Sequence, residues 1–173
     1  MNWDQTWIKL AHEFSKKSKD PSTKVGCVIV GEGNSLLSIG FNGFPRNVIE
    51  EESKYIKRYG AEEKFDRWDR PQKYAWVEHA ERNCCYNAAR NGIRLKGATA
   101  YLNWDPIPCV ECTKALIQSG IVRIVGPVNR DFKKRVSANV ENAADYQFRI
   151  AMIMLMEAGI NVHTVPVPDE VFA

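Results

Sequence analysis

The sequence predicts an α/β fold, a three-layer α/β/α sandwich around a mixed sheet of about five strands. Residues 25–40 contain two short apolar runs separated by a Gly/Asn-rich turn, as in a β-hairpin. From residue 79 onward, helix-like segments alternate with strand-like segments, a pattern typical of α/β domains. Together these two observations indicate strands packed between helices.

The predicted elements follow in chain order. Residues 3–17 place apolar side chains at helical spacing, and Pro21 prevents that helix from continuing. The hairpin strands cover residues 25–30 and 35–40, and the loop at 41–46 carries two aromatic side chains, an amide and an arginine. Later elements are a helix at 79–91, a strand at 98–104, a helix from 108 or 109 to 118, a strand at 121–125, a helix at 143–158 and a strand at 160–165.

The segment from residue 50 to residue 72 is strongly charged, with thirteen Lys, Arg, Asp or Glu side chains in 23 residues. We interpret it as a charged insertion at about 50–73, with one or two exposed helices packed by Tyr55, Ile56, Tyr59, Phe65 and Trp68. Plain solvated surface is the simpler interpretation of such a charge run, and a cover over the substrate or an oligomer contact is the alternative.

Length and composition limit the class of protein. At 173 residues the chain can form one hydrophobic core, so we expect a single domain over residues 1–173. A net charge of +3 does not favour a nucleic-acid partner. The first residues lack the apolar run of a signal peptide, and no stretch reaches the length of a membrane span. We therefore expect a cytoplasmic protein without membrane partners.

Two short motifs carry the predicted chemistry: His79-Ala80-Glu81 and Pro108-Cys109-Val110-Glu111-Cys112. Residues three apart lie on one face of a helix, so Cys109 and Cys112 can bind one ion together. Two thiolates and one imidazole suit Zn²⁺. Because catalytic zinc sites keep one position open for water, three ligands indicate a catalytic rather than a structural site.

Glu81 follows His79 by two residues, which places its carboxylate beside the metal rather than on it. We predict that Glu81 takes a proton from water, passes it to a ring nitrogen and then protonates the departing amino group. A group of this kind contributes about 10²- to 10⁴-fold in rate. The combination H-x-E and P-C-x-x-C is typical of zinc nucleobase deaminases.

A closed zinc site is the main structural alternative, with Cys84 or Cys85 as a fourth ligand in a zinc-stabilised interaction module. Both cysteines lie more than one helical turn beyond His79, so burial as small apolar residues is the better prediction.

Beyond the zinc motif, the chain resembles the deoxycytidylate (dCMP) deaminases of the cytidine deaminase superfamily at residues 18–26, 40–46 and 117–121. The resemblance implies the cytidine deaminase-like fold and the hydrolysis of dCMP to dUMP and ammonia, which feeds thymidylate synthesis. It also implies a homo-oligomer, commonly a hexamer, that dCTP with Mg²⁺ activates and dTTP inhibits.

The same resemblance assigns roles to individual residues. His79, Cys109 and Cys112 would bind Zn²⁺, and Glu81 would be the proton shuttle. Substrate contacts fall to Asn42 and the backbone around Ala80, while Thr23 and Lys24 offer a hydroxyl and a cation for phosphate. The effector residues would be Gly43, Phe44 and Arg46.

Other deaminases share parts of this pattern. A tRNA adenosine deaminase has both motifs but usually needs a positive surface for tRNA, which the balanced charge disfavours. Deaminases of the riboflavin pathway have a longer gap between the two cysteines. Deamination of another cytosine nucleotide is the remaining enzymatic alternative.

Overall fold

The computed structural model describes residues 2–50, 66–128 and 143–168, with only the backbone for residues 143–146. One mixed sheet has the strand order β2-β1-β3-β4-β5. Strand β1 is antiparallel to β2 and β3, whereas β3, β4 and β5 are parallel. The strands are β1 (Gly26–Val30), β2 (Leu36–Phe41), β3 (Thr99–Leu102), β4 (Arg123–Pro127) and β5 (Asn161–Val165).

Five helices accompany this sheet in the described ranges, and a 3₁₀ turn at Glu32–Asn34 joins β1 to β2. The helices are α1 (Trp3–Ser15), α2 (Lys73–Trp76), α3 (Ala80–Arg90), α4 (Val110–Gln118) and α5 (Ala143–Glu157). The mixed five-stranded sheet and its helices confirm the predicted fold class, and the strand boundaries lie close to the predicted ones.

Helix α1 covers one face of the sheet. Its side chains Trp7, Ile8 and Ala11 pack against Val28 and Val125. Arg123 on β4 donates two hydrogen bonds to Asp4 on α1, at 3.0 and 2.7 Å, so a polar contact fixes this helix over the parallel strands. These hydrogen bonds lower the pKa of Asp4.

The other face of the sheet packs against α3, α4 and α5. Cys27 and Ile29 of β1 join a core that includes Cys84 of α3, Leu116 of α4 and Leu155 of α5. Neighbouring β1 residues therefore face opposite layers, as the alternation of a strand requires. The result is the predicted sandwich, with β1 fully buried between the layers.

Two glycines permit unusually close contacts between strands and helices. A Cβ atom on Gly40 of β2 would lie 2.4 Å from the carbonyl oxygen of Ala80 and 2.5 Å from the amide nitrogen of Cys84. A Cβ atom on Gly26 of β1 would lie 1.9 Å from the carbonyl oxygen of Ala11. Strand β2 thus rests directly on the first turn of α3, which holds the start of that helix in place.

Most of the predicted charged insertion, including Tyr55, Ile56, Tyr59 and Phe65, lies outside the described residues. Its end is described: Trp68 is partly buried, and its ring centroid is 4.6 Å from that of Phe44. In the described ranges, every helix is too short or too polar to cross a lipid bilayer.

Candidate metal centre and active site

The starts of α3 and α4 supply the three candidate metal ligands. His79 is the N-cap residue of α3, Cys109 is the N-cap residue of α4, and Cys112 lies in the first turn of α4. Side chains at N-cap positions commonly bind the exposed backbone N–H groups of their own helix. Neither His79 nor Cys109 does so, which leaves the imidazole and the thiol available for a metal.

The distances fit a tetrahedral zinc ion. His79 Nδ1 lies 3.5 Å from Cys109 Sγ and 3.5 Å from Cys112 Sγ, and the ligand atoms all lie within 4.8 Å of one another. In a tetrahedral zinc site the bonds are about 2.3 Å to sulfur and about 2.0 Å to nitrogen. A sulfur ligand and a nitrogen ligand of one such ion therefore lie about 3.5 Å apart. The three side chains are therefore arranged for this metal.

The two thiols of the ligand group differ in acidity. Hydrogen bonds from Cys112 and His79 lower the pKa of Cys109 to about 4, although burial opposes the shift. The pKa of Cys112 is raised by its contact with Cys109 and by burial. Contact with Cys109 also raises the pKa of His79. Zinc prefers thiolates and a neutral imidazole, so its binding would release the remaining protons.

Glu81 lies in the first turn of α3 and is only 7% exposed. Burial raises the pKa of this carboxyl group, and the nearby charge of His79 opposes that shift. Glu81 is not a member of the three-residue ligand group. A buried carboxyl group with a raised pKa is suited to accepting and returning a proton during a reaction.

A cavity of about 350 Å³ lies against these residues, with His79, Glu81 and Cys109 on its wall. This volume is in the usual range for a small-molecule site. The wall also includes two exposed aromatic side chains, Tyr74 and Trp104. Two of the candidate metal ligands and the buried acid therefore line a space that can hold a ligand with a planar ring.

Three of the four predicted substrate residues line this cavity: Ala80, Asn42 and Thr23. The side chain of Lys24 is exposed and is not part of the wall. Asn42 accepts a hydrogen bond from Val25 N at 2.8 Å and donates to Thr23 O at 2.9 Å.

The second N–H of the Asn42 amide also has a partner, because it donates to Asp20 Oδ2 at 3.2 Å. Both N–H groups of this amide are therefore used within the protein. Only one lone pair on Oδ1 remains for a ligand. The main role of the Asn42 side chain is therefore to hold the cavity wall together, and its oxygen can also accept one hydrogen bond from a bound molecule.

Sequence reasoning missed a buried ion pair on the same wall. Lys73 Nζ donates to both carboxylate oxygens of Asp20, at 3.0 and 2.8 Å, and to Ser22 Oγ at 2.6 Å. The Lys73 side chain is 6% exposed and that of Asp20 is 2% exposed. Burial raises the pKa of Asp20, but hydrogen bonds from Lys73, Ser22 and Thr23 outweigh it and leave the pKa below its usual value.

The predicted effector residues Gly43, Phe44 and Arg46 line a second cavity of about 700 Å³ between α3 and the edge of β2. Asn83 donates to Phe41 O at 2.9 Å, and Asn87 donates to Ile39 O at 2.8 Å. Arg46 in turn donates to the side-chain oxygen of Asn87. Asn42 lies on the walls of both cavities.

The two cysteines of the closed-site alternative lie elsewhere. Cys84 and Cys85 are buried, and Cys84 Sγ is 3.6 Å from the carbonyl oxygen of Cys27. In the ranges that the structure describes, the metal-ligand group comprises His79, Cys109 and Cys112 alone. The arrangement thus favours an open metal site beside a cavity.

Comparison with known proteins also indicates a zinc site and identifies the family. Residues 1–126 match the cytidine and deoxycytidylate deaminase zinc-binding region. The chain is 36% identical over 125 residues to a probable deoxycytidylate deaminase of Drosophila melanogaster, an alignment covering 72% of this chain and 59% of that protein. It is 31% identical over 168 residues to a probable deoxycytidylate deaminase of Caenorhabditis elegans, covering 97% and 72% of the two chains.

Among solved structures, the dCMP deaminase of the cyanophage S-TIM5 in complex with dCMP and dUMP has a TM-score of 0.62 and 22% identity. The superposition covers 95% of this chain and 99% of the cyanophage chain. The sheet order and helix layers thus define a protein of the cytidine deaminase-like fold class. Within that class, the chain belongs to the cytidine and deoxycytidylate deaminase family. It spans about three-fifths of the Drosophila relative's length.

Proposed function

We propose that this chain is a zinc-dependent hydrolase that converts dCMP and water to dUMP and ammonia. The observation that carries this proposal is the position of Glu81. Its buried carboxyl group, with a raised pKa, lines the same cavity as His79 and Cys109, two of the three residues of the ligand group that Cys112 completes. A proton carrier beside a three-ligand zinc site is the arrangement that hydrolytic deamination of a base requires.

The residues divide the work as follows. When bound by His79, Cys109 and Cys112, zinc would lower the pKa of a coordinated water from 15.7 to about 7. Glu81 accepts the proton of the attacking water and delivers it to N3 of cytosine, which makes C4 more electrophilic. After hydroxide has added at C4, Glu81 takes the second proton from the new C4 hydroxyl group and gives it to the amino group. The C4–N bond then breaks, and ammonia leaves.

The cavity wall supports a nucleotide as the substrate. Ala80, fully buried beside Glu81, offers a small side chain where a flat base can approach the acid. The free acceptor of Asn42 suits a hydroxyl or amino donor. The cyanophage relative is described in complex with dCMP and dUMP. Relatives named as deoxycytidylate deaminases support the same nucleotide here.

We further propose that nucleotides regulate the deaminase activity by binding in the second cavity. dCTP with Mg²⁺ would activate the enzyme and dTTP would inhibit it, each by binding near Gly43, Phe44 and Arg46. The exposed cation of Arg46 suits a phosphate group, and the cavity is large enough for a nucleotide. A cytoplasmic homo-oligomer, a hexamer by resemblance, would supply dUMP for thymidylate synthesis.

The test is ammonia release by the zinc-loaded protein with dCMP, alone and with dCTP or dTTP plus Mg²⁺, using Glu81→Gln as the blank. Turnover that rises with dCTP and falls with dTTP is the expected result. Turnover that responds to neither would retain the reaction and remove the regulation. A wild-type protein no more active than the blank would refute the proposed reaction.

A further inference from the structure

The exposed end of the first cavity contains a cation that the predicted site did not include. Arg70 is exposed, lies on the cavity wall and comes just before α2, within the segment expected to be plain charged surface. We propose that Arg70 binds the 5′-phosphate of the nucleotide and so makes the site select nucleotides over nucleosides. This inference rests on the proposed function, because it assumes a nucleotide in this cavity.

The charges on this wall leave Arg70 as the group for an incoming anion. Two other basic side chains line this wall: His79 is a member of the candidate metal-ligand group, and Lys73 is buried and already bound to both oxygens of Asp20 and to Ser22. Asp20 is therefore neutralised and does not repel a phosphate. Asp105 also lies on the wall and accepts a hydrogen bond from Ile107 N at 2.9 Å. Among the described lining residues outside the metal-ligand group and the Lys73–Asp20 pair, the cation is Arg70, for which the structure shows a ring contact but no ion pair.

The position of Arg70 matches the polarity of a nucleotide. Glu81 and Ala80 form the buried end of the cavity, where an uncharged base loses little on leaving water. Arg70 and Tyr74 are exposed parts of its wall, where a phosphate dianion can keep part of its hydration. A nucleotide with its amino group at Glu81 would thus direct its phosphate toward Arg70.

Tyr74 helps to hold this guanidinium group. The centre of the Arg70 guanidinium lies 5.9 Å from the centroid of the Tyr74 ring, within the range of a cation–π contact. Tyr74 belongs to α2, which the buried Lys73 fixes to Asp20. A guanidinium group presents paired N–H donors that match two phosphate oxygens, which a lysine cannot reproduce.

Of the two residues predicted to bind phosphate, Thr23 and Lys24, Thr23 lines the same cavity as Arg70. Its hydroxyl group is therefore on a wall that the same ligand would contact. Lys24 is exposed and does not line this cavity. The structure therefore moves the predicted cationic contact from Lys24 to Arg70.

The experiment measures binding of dUMP and of deoxyuridine to the zinc-loaded protein by calorimetry. These ligands differ only in the phosphate, and neither is consumed. In Arg70→Gln, the dissociation constant for dUMP should rise about 10- to 100-fold, the usual effect of losing a hydrogen-bonded charge contact. The constant for deoxyuridine should stay within about twofold, since its contacts are unchanged.

Two further variants control this measurement. Arg90→Gln removes an exposed arginine at the end of α3 that lines neither cavity, so it should bind both ligands like the wild type. Arg70→Lys should recover part of the dUMP affinity, because it restores the charge without the paired donors. Equal weakening of both ligands in Arg70→Gln, or unchanged dUMP binding, would overturn the proposal.

Ammonia release separates this inference from the reaction itself. If the wild type deaminates dCMP but Arg70→Gln has an unchanged KM, the phosphate contact is refuted and the reaction stands. If dUMP binding depends on Arg70 but dCMP yields no ammonia, the phosphate contact stands and the proposed reaction is refuted.

Discussion

The two cavities on either side of Asn42 differ in how their polar groups are used. The smaller one, about 350 Å³, is lined by the candidate metal ligands His79 and Cys109 and by Glu81, a buried acid whose pKa is raised by burial. The larger one, about 700 Å³, is lined along α3 by the amides of Asn83 and Asn87, whose donors bind the backbone of β2.

Helix α3 serves both cavities. Glu81 in its first turn lines the smaller cavity, and asparagines along its side line the larger cavity. The two walls therefore differ in chemistry. The first buries the ionisable group Glu81, whereas along α3 the second has neutral amides whose donors already bind the backbone of β2.

Removing the acid tests this contrast most directly. Glu81→Gln should reduce dCMP deamination by about 10²- to 10⁴-fold, because the amide cannot accept and return the proton. Zinc content should stay the same, since Glu81 is outside the ligand group. Ammonia release and metal analysis on the same sample measure both quantities.

Glu111→Gln is the matched control for that variant. Glu111 lies between the two cysteine ligands but is exposed and paired with Lys114. Its variant should retain nearly full activity. An equal loss in both variants would mean that nearby negative charge, rather than proton transfer by Glu81, supports the reaction.

Breaking the buried ion pair should produce the next largest effect. Lys73→Met leaves the carboxylate of Asp20 buried without its cation, which typically costs about 3–5 kcal/mol of stability. Urea denaturation measures the free energy of unfolding. Lys9→Met, at an exposed lysine of α1, should change it by less than about 0.5 kcal/mol.

The pH dependence of the free energy of unfolding gives a second test of the Lys73–Asp20 ion pair. The pKa of Asp20 is lowered in the folded protein, so its stabilising contribution is present above the unfolded pKa of about 4. That contribution is lost as the pH falls through the lowered pKa. The stability difference between wild type and Lys73→Met should therefore narrow in acid. A constant difference would show that Asp20 is not the group involved.

The contact between β2 and α3, which borders both cavities, predicts a smaller effect. Gly40→Ala puts a methyl group against the backbone of Ala80 and Cys84 and should cost about 1–3 kcal/mol. Gly43→Ala is the matched control, because a Cβ atom there would meet no atom of the described residues within 4 Å. Thermal unfolding of both variants should show a lower Tm only for Gly40→Ala.

The second cavity gives the smallest expected effect. If it binds an effector triphosphate, Arg46→Ala should raise the dCTP concentration for half-maximal activation by about tenfold, the usual loss for one charged contact. Titration of turnover with dCTP and Mg²⁺ measures this shift. An unchanged midpoint would place the effector elsewhere.

Local sequence patterns predicted much of the fold and of the metal group. Apolar side chains at helical spacing located α1 and α5, and alanine, proline and glycine signals located α3 and α4, whereas the short helix α2 was not located. The spacing of Cys109 and Cys112 predicted that their side chains could meet. Lys73 and Arg70 could not be predicted in this way. Lys73 is buried only because Asp20, 53 residues earlier, lies against it, and nothing in the local charge run indicates that partner. Arg70 acquires its proposed role from a cavity wall that folding assembles.

The origin of the ligands in two separate helices has a thermodynamic consequence. His79 and Cys109 are 30 residues apart, with β3 between them, so one ion bound to both would close that loop. Cross-linking a loop of this length removes chain entropy from the unfolded protein equivalent to about 3–4 kcal/mol. Such an ion would restrain the unfolded chain as well as serve catalysis, and the lifetime of the folded enzyme would then depend on the supply of metal.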